Sequence, residues 1–225
     1  MLFTFIVAFV LIMIGELADK SQLLALVLAT RYRTMHVLIG IFVATFTVHF
    51  LSAGFGMLVG DLIPQGVLPW VSGLLFLGFG IWTLRGDTVD EQDAEAGKAA
   101  RFGPILAVAV AFFFAELGDK TQIMTIAIAA DPGGALIEVL KGAGASVQHA
   151  LAAIGISASG EIAPAARFWG VTLGSTLGMV LADALAIAVG RILGRRLPER
   201  LLTRISGIAF IGFGILTIAV PYLTR

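Results

Sequence analysis

Seven residues, Glu16-Leu17-Ala18-Asp19-Lys20-Ser21-Gln22, recur one hundred positions later as Glu116-Leu117-Gly118-Asp119-Lys120-Thr121-Gln122, each copy inside a long apolar run. Together the copies offer four carboxylates, from Glu16, Asp19, Glu116 and Asp119, and neutral oxygens from Ser21, Thr121, Gln22 and Gln122. Such a set suits a hard divalent cation such as Ca²⁺ or Mn²⁺. The chain has no cysteine, which excludes disulfides, thiolate metal sites and cysteine nucleophiles, so any metal is held by oxygen or by one of three histidines. An ionisable side chain near the middle of a bilayer costs at least about 3 kcal/mol, so it normally faces a protein interior or a water-filled cavity on an ion or substrate path.

Read as one helix, Glu16, Asp19, Lys20 and Leu23 share a face about 100° wide with Gln22 beside Asp19, and the second copy presents Glu116, Asp119, Lys120, Thr121 and Gln122 in the same way. Lys20 follows Glu16 by four residues, and Lys120 follows Glu116, the order that favours an intrahelical ion pair. An ammonium cannot ligate a cation. The lysines are therefore assigned to charge balance, holding carboxylates or snorkelling toward an interface. Four clustered carboxylates in low dielectric cannot all ionise without counter-charge, so some must be protonated, paired or metal-bound. Two salt-bridged packing motifs with no ligand are the bland alternative, weakened by the cost of keeping buried ions.

Four further polar residues fall within apolar runs. Asp183 is a candidate for the proton or cation path, as an intramembrane acid is by default. His49 lies one turn before the position matching Asp183 in the other half, and is either a proton relay or a hydrogen-bonded packing residue. Thr45 and Ser175 match each other and either complete the oxygen shell or hydrogen-bond between helices.

The elements that must position these groups follow from composition. Of 225 residues 58% are hydrophobic and only 13% charged, against about 25% charged in a soluble domain. Mean hydropathy is +0.98. This predicts an all-α polytopic membrane protein embedded in a lipid bilayer, and the formal net charge of +0 gives no sign of a nucleic-acid partner. Spanning needs roughly 20 apolar residues, which places six spans at about 3–28, 37–60, 67–84, 104–130, 168–190 and 202–223. Residues 3–28 read as a retained span rather than a signal peptide, since no Lys or Arg precedes the apolar stretch. Arginine and lysine gather in three alternate connections, at Arg31 and Arg33, at Arg85, Lys98 and Arg101, and at Arg191, Arg195, Arg196 and Arg200. The positive-inside rule then makes those connections cytoplasmic and both termini non-cytoplasmic, in an inner or plasma membrane.

Repetition extends beyond the motif. Gly40, Ala44, Ser52, Gly56 and Gly60 of span two fall on a four-residue lattice, as do Gly170, Gly174, Gly178, Ala182, Ala186 and Gly190 of span five. Spans three and six share eight of twelve residues between Ser72–Thr83 and Ser206–Thr217. Two halves of three spans each give an inverted repeat, because an odd number of spans reverses the second half. The expected organisation is a first three-helix repeat over 1–84, an acidic cytoplasmic linker over 85–103, and a second repeat over 104–225. An extra non-cytoplasmic segment at about 131–167 carries apolar residues at helical spacing, which predicts an interfacial amphipathic helix. The glycines are scaffold, letting backbones approach closely in lipid.

The doubled E-L-x-D-K-[ST]-Q sequence resembles the E-x-G-D-[KR]-[TS] hallmark of a membrane family that includes Golgi manganese and calcium transporters of eukaryotes and bacterial manganese exporters. The similarity covers the whole chain: two three-span halves, one motif in the first span of each, and an acidic central linker. It implies secondary transport of Mn²⁺ or Ca²⁺ out of the cytosol in exchange for protons, without a cofactor, with Glu16, Asp19, Glu116 and Asp119 at the functional positions. Ala18 departs from the family's glycine, which Gly118 keeps. Two other readings stay open: an exporter of a basic amino acid or other small cation, and an intramembrane hydrolase using paired carboxylates. No H-E-x-x-H sequence supports a metalloenzyme.

Overall fold

Both motif-bearing segments are broken in the middle of the motif. In the computed structural model, which describes residues 1–17, 19–64, 66–85, 103–131, 162–193 and 199–223, the described residues form eight helices and no strand. Helix α1 (Leu2–Gly15) ends just before Glu16, and α2 (Lys20–Arg31) starts after Asp19, with its axis turned by 78°. In the second copy, α5 (Pro104–Glu116) and α6 (Lys120–Ala130) are separated at the same place. Between these pairs lie α3 (Thr34–Leu62) and α4 (Leu68–Arg85), and α7 (Pro164–Leu193) and α8 (Glu199–Leu223) follow. The acidic linker and the amphipathic helix expected in 131–167 fall outside the described residues except at their ends, where α7 already begins at Pro164.

Among the described residues three helices are long and apolar enough to cross a membrane, Thr34–Leu62, Leu68–Arg85 and Pro164–Arg191. The bent pair of α1 and α2 makes a fourth when counted as one span, while Pro104–Glu116 and Thr203–Ala219 are shorter apolar helices. Large apolar side chains such as Phe55, Leu58, Leu74, Ile208 and Ile215 point outward, as a surface facing hydrocarbon requires.

Small residues decide how the helices meet. A methyl group added at Gly178 of α7 would stand 2.6 Å from the carbonyl oxygen of Phe9 on α1, and Gly170 and Gly174 abut the same helix. On α3, Gly40 meets the Ile105 carbonyl of α5, and Gly56 and Gly60 meet the carbonyls of Ile126 and Ala130 on α6. Thus α7 lies on α1 as α3 lies on α5. Helices α4 and α8 cross through Gly73, Gly80, Gly207 and Gly214, with Gly80 against the carbonyl of Gly207 and Gly73 against that of Gly214. Lipid offers little hydrophobic drive between helices, so backbone contact at such positions supplies dispersion attraction that larger residues would block.

Two apolar clusters result. One gathers Phe3, Val7, Leu11 and Ile12 of α1 with Met124 and Ile128 of α6, Phe76 of α4 and Phe210 of α8. The other gathers Ala25 and Leu28 of α2 with Ile41 of α3, Val108 and Phe112 of α5, and Ile187 of α7. The first motif copy therefore leads from the first cluster to the second, and the second copy leads back. The far ends of the half-helices are capped by arginines of α7: Arg191 donates to the Ala29 carbonyl of α2 at 2.8 Å, and Arg167 to those of Ala129 and Ala130 of α6 at 2.5 and 2.7 Å. Each supplies donors to carbonyls that a helix end leaves unpaired.

A candidate cation site at two broken helices

The break is local chemistry. Aspartate is a favoured N-cap residue, and Asp19 and Asp119 sit in extended backbone, φ −84° and −78°, as the N-caps of α2 and α6. The Asp19 side chain accepts from the Lys20 amide at 2.7 Å. In the second copy Gly118 takes φ +83°, a left-handed conformation open to glycine at little cost. Its amide donates to Gln122 Oε1 at 2.6 Å, so that side chain closes the turn in which it stands. Glu16 caps the end of α1 and Glu116 is the last residue of α5. Ser206 of α8 donates to the Ile14 carbonyl at 2.6 Å, satisfying one acceptor freed where α1 stops.

This geometry corrects the single-helix reading of the motif. Glu16 and Lys20 do not stack one turn apart on one helix, because α1 ends at Gly15 and α2 begins at Lys20, and Glu116 and Lys120 are likewise on separate helices. Each lysine instead reaches the aspartate of the other copy, Lys20 Nζ to Asp119 Oδ1 at 3.3 Å and Lys120 Nζ to Asp19 Oδ2 at 3.0 Å. The reason is the interrupted backbone: Lys20 and Lys120 are the first residues of new helices whose direction the preceding glutamates do not share.

The glutamates find hydroxyl partners. Ser21 donates to Glu16 Oε2 at 2.5 Å and Thr121 to Glu116 Oε2 at 2.7 Å, the same contact in both copies. The second oxygens, Oε1 of Glu16 and of Glu116, are buried and have no hydrogen-bond partner among the described residues. All four motif carboxylates are almost fully enclosed, at 0–4% exposure, and Gln22, Ser21 and Thr121 are buried with them. Glu16 lies within electrostatic reach of Glu116, Asp19, Asp183 and Lys120, and Glu116 of Asp119, Asp19 and Asp183. Among the described residues, however, no three acidic or histidine side chains are drawn together tightly enough to hold a metal ion. Two of the four carboxylates are engaged by ammonium groups instead.

The remaining sequence candidates are all buried, and Asp183 lies within electrostatic reach of Glu16 and Glu116. Asp183 is completely enclosed, and neither carboxyl oxygen has a hydrogen-bond partner among the described residues. His49 places Nδ1 3.5 Å from the Thr176 hydroxyl. Ser175 meets Thr125 of α6 at 3.4 Å, a contact between helices, whereas the Thr45 hydroxyl donates within its own helix to Phe42. Thr125 and Thr176 were not among the sequence candidates. Thr125 carries a readable signal, one turn after Thr121, while Thr176 becomes notable only once α7 is laid beside α3.

The divalent cation/proton antiporter GDT1 family model matches residues 4–91, 104–166 and 150–223. A Vibrio cholerae protein named "Putative manganese exporter" is 39% identical over 130 residues, 57% of this chain and 63% of that relative, so the match spans somewhat less than two thirds of its length. A GDT1-like protein of Synechocystis is 30% identical over 172 residues, 68% of this chain and 81% of the relative. GDT1-like protein 5 of Arabidopsis thaliana is 29% identical over 153 residues, covering 52% and 67%. No solved structure matches the chain. The family is one of transporters and not of enzymes, which removes the hydrolase reading. With its motif halves meeting at a buried, carboxylate-rich break in two helices, this membrane chain belongs to the GDT1 family of divalent cation/proton antiporters.

Proposed function

We propose that the chain exports Mn²⁺ or Ca²⁺ from the cytosol in exchange for protons, through a site drawn from Glu16, Asp19, Glu116 and Asp119 and assisted by Ser21, Thr121, Gln22 and Gln122. One observation carries this reading: two broken helices bring four buried carboxylates from segments one hundred residues apart into one centre, with the same glutamate–hydroxyl contact in each copy. Discontinuous helices at the meeting of two repeats are how membrane exchangers expose ion-binding groups in mid-membrane. A cation and protons competing for these oxygens would couple the two fluxes. The name of the Vibrio cholerae relative favours Mn²⁺, and Asp183, with His49 beside Thr176, is assigned to the proton path.

The membrane arrangement proposed with it has six spans in two inverted halves, 1–84 and 104–225, joined by the linker 85–103, in the inner membrane with both termini outside the cytoplasm. The exchange symmetry of the packing, α1 on α7 and α5 on α3, supports the inversion. So does the reversed passage of the two motifs between the apolar clusters. Because the chain lacks cysteine, single replacements Asp93→Cys and Ser157→Cys can be labelled with an impermeant thiol reagent. Asp93→Cys should react only from the cytoplasmic side, and labelling of Asp93→Cys and Ser157→Cys from one face would overturn the inverted arrangement.

The substrate is tested in proteoliposomes given one solute at a time. Mn²⁺, Ca²⁺ or both should be carried, and excess lysine or arginine should leave that flux unchanged. Uptake of lysine or arginine that is indifferent to either metal would establish the basic amino acid reading in its place.

A further inference from the structure

We propose that Lys20 and Lys120 are tethered competitors of the transported cation: each ammonium holds the aspartate of the other motif copy, and a divalent cation binds by displacing both. The proposal rests on the reading that the motif carboxylates take the cation.

The ion pairs are reciprocal and join the two halves, Lys20 to Asp119 at 3.3 Å and Lys120 to Asp19 at 3.0 Å. Helix stability does not explain lysine at these positions. Both are first residues of half-helices, where the macrodipole disfavours a positive charge, and local spacing would have paired each with a glutamate. What the positions do provide is one positive charge on each aspartate, where those aspartates are 0% and 3% exposed at the side chain. Two ammonium groups carry the charge of one divalent ion. Exchanging them for it leaves neither aspartate without a positive partner, a requirement in low dielectric where an unpaired carboxylate is strongly unfavourable.

The same exchange gives the glutamates a part. Their Oε1 atoms are buried without a hydrogen-bond partner among the described residues, so they can add oxygens to a cation that has displaced the ammonium groups. Release then follows in reverse. A returning ammonium replaces the departing cation and prevents two bare aspartates from trapping it. The pairs are unequal: the Lys20 side chain is 22% exposed and that of Lys120 only 2%. Lys20 can swing its head toward water on a flexible stem, so its pair opens first.

The test is Mn²⁺ binding to the purified full-length chain, read by the paramagnetic resonance of free Mn²⁺, with melting temperature recorded with and without the ion. Lys20→Gln removes the competitor at the more exposed position. It should tighten the dissociation constant for Mn²⁺ about tenfold, equivalent to about 1.4 kcal/mol. It should also enlarge the rise in melting temperature that Mn²⁺ produces, because the ion then relieves an uncompensated Asp119, and lower the maximal rate in proteoliposomes through slower release. Lys20→Arg keeps the charge and should bind as the wild type does. Lys20→Met, apolar and of similar length, provides a second neutral variant should the glutamine variant fold poorly. Neutral variants that bind Mn²⁺ no tighter than wild type, or whose melting falls equally with and without the ion, would overturn the competitor role and leave the site assignment standing. A wild-type chain that binds neither Mn²⁺ nor Ca²⁺ would overturn the site assignment itself.

Discussion

Glu116→Gln is expected to lower the initial rate of Mn²⁺ or Ca²⁺ transport by about 100-fold or more while the protein remains folded in the membrane. The size follows from what is removed. Groups that merely orient a metal ligand are worth about 10–100-fold in affinity, and here a negatively charged oxygen in the buried centre is replaced by a neutral amide of the same volume. The Thr121 hydroxyl can still donate to the amide oxygen of the new side chain, so the local contact that holds residue 116 is retained. Glu16→Gln should behave alike through Ser21. Asp19→Asn and Asp119→Asn should lose as much flux, and these also leave Lys120 or Lys20 without its partner, so their melting temperatures should fall further than those of the glutamine variants. Transport rates in proteoliposomes, normalised to correctly folded protein, decide the matter. Wild-type rates in all four variants would mark the motif as structural.

The second large effect concerns direction. With the membrane potential clamped at zero, a pH lower on the non-cytoplasmic side should drive Mn²⁺ or Ca²⁺ from the cytoplasmic face to the opposite face, and reversing the gradient should reverse the flux. One pH unit is worth about 1.4 kcal/mol per proton. Exchange of one proton per cation would therefore sustain about a tenfold cation gradient per pH unit, and two protons about a hundredfold. Lower pH on the loading face should raise the cation concentration needed for half-maximal flux, since protons and cation compete for the same oxygens. Asp183→Asn and His49→Gln separate roles within this scheme. A group on the proton path should lose proton-driven flux and retain cation–cation exchange, whereas a ligand should lose both. Flux indifferent to the sign of the gradient would identify a channel or uniporter.

Much of the site is legible in the sequence because charge in an apolar run is a local, compositional signal. The doubled Glu-x-x-Asp-Lys motif, its position within long hydrophobic segments, and the four-residue lattices ending at Gly60 and Gly190 can all be read without tertiary information. The lattices do what their spacing implies, admitting the backbone of α1 against Gly170, Gly174 and Gly178 and that of α6 against Gly56 and Gly60. The helix break is also written locally, in Asp as an N-cap and Gly118 before it. A continuous hydrophobic pattern concealed it, because periodicity over a long window averages across a turn of three or four residues.

What no local pattern could supply is partnership across a hundred residues. Spacing within the motif pairs Lys20 with Glu16, yet the folded chain pairs it with Asp119, because the bend sends the new helix away from the glutamate and packing brings the other copy within 3.3 Å. Thr45 and Ser175 occupy matching positions, yet one bonds within its helix and the other to Thr125, a residue set beside it only by the approach of α6 to α7. The sequence by itself determined which groups are costly to bury and must therefore be gathered. The tertiary structure alone decided which of them neutralise one another, since electrostatic pairing in low dielectric depends on distances that only the packed helices set.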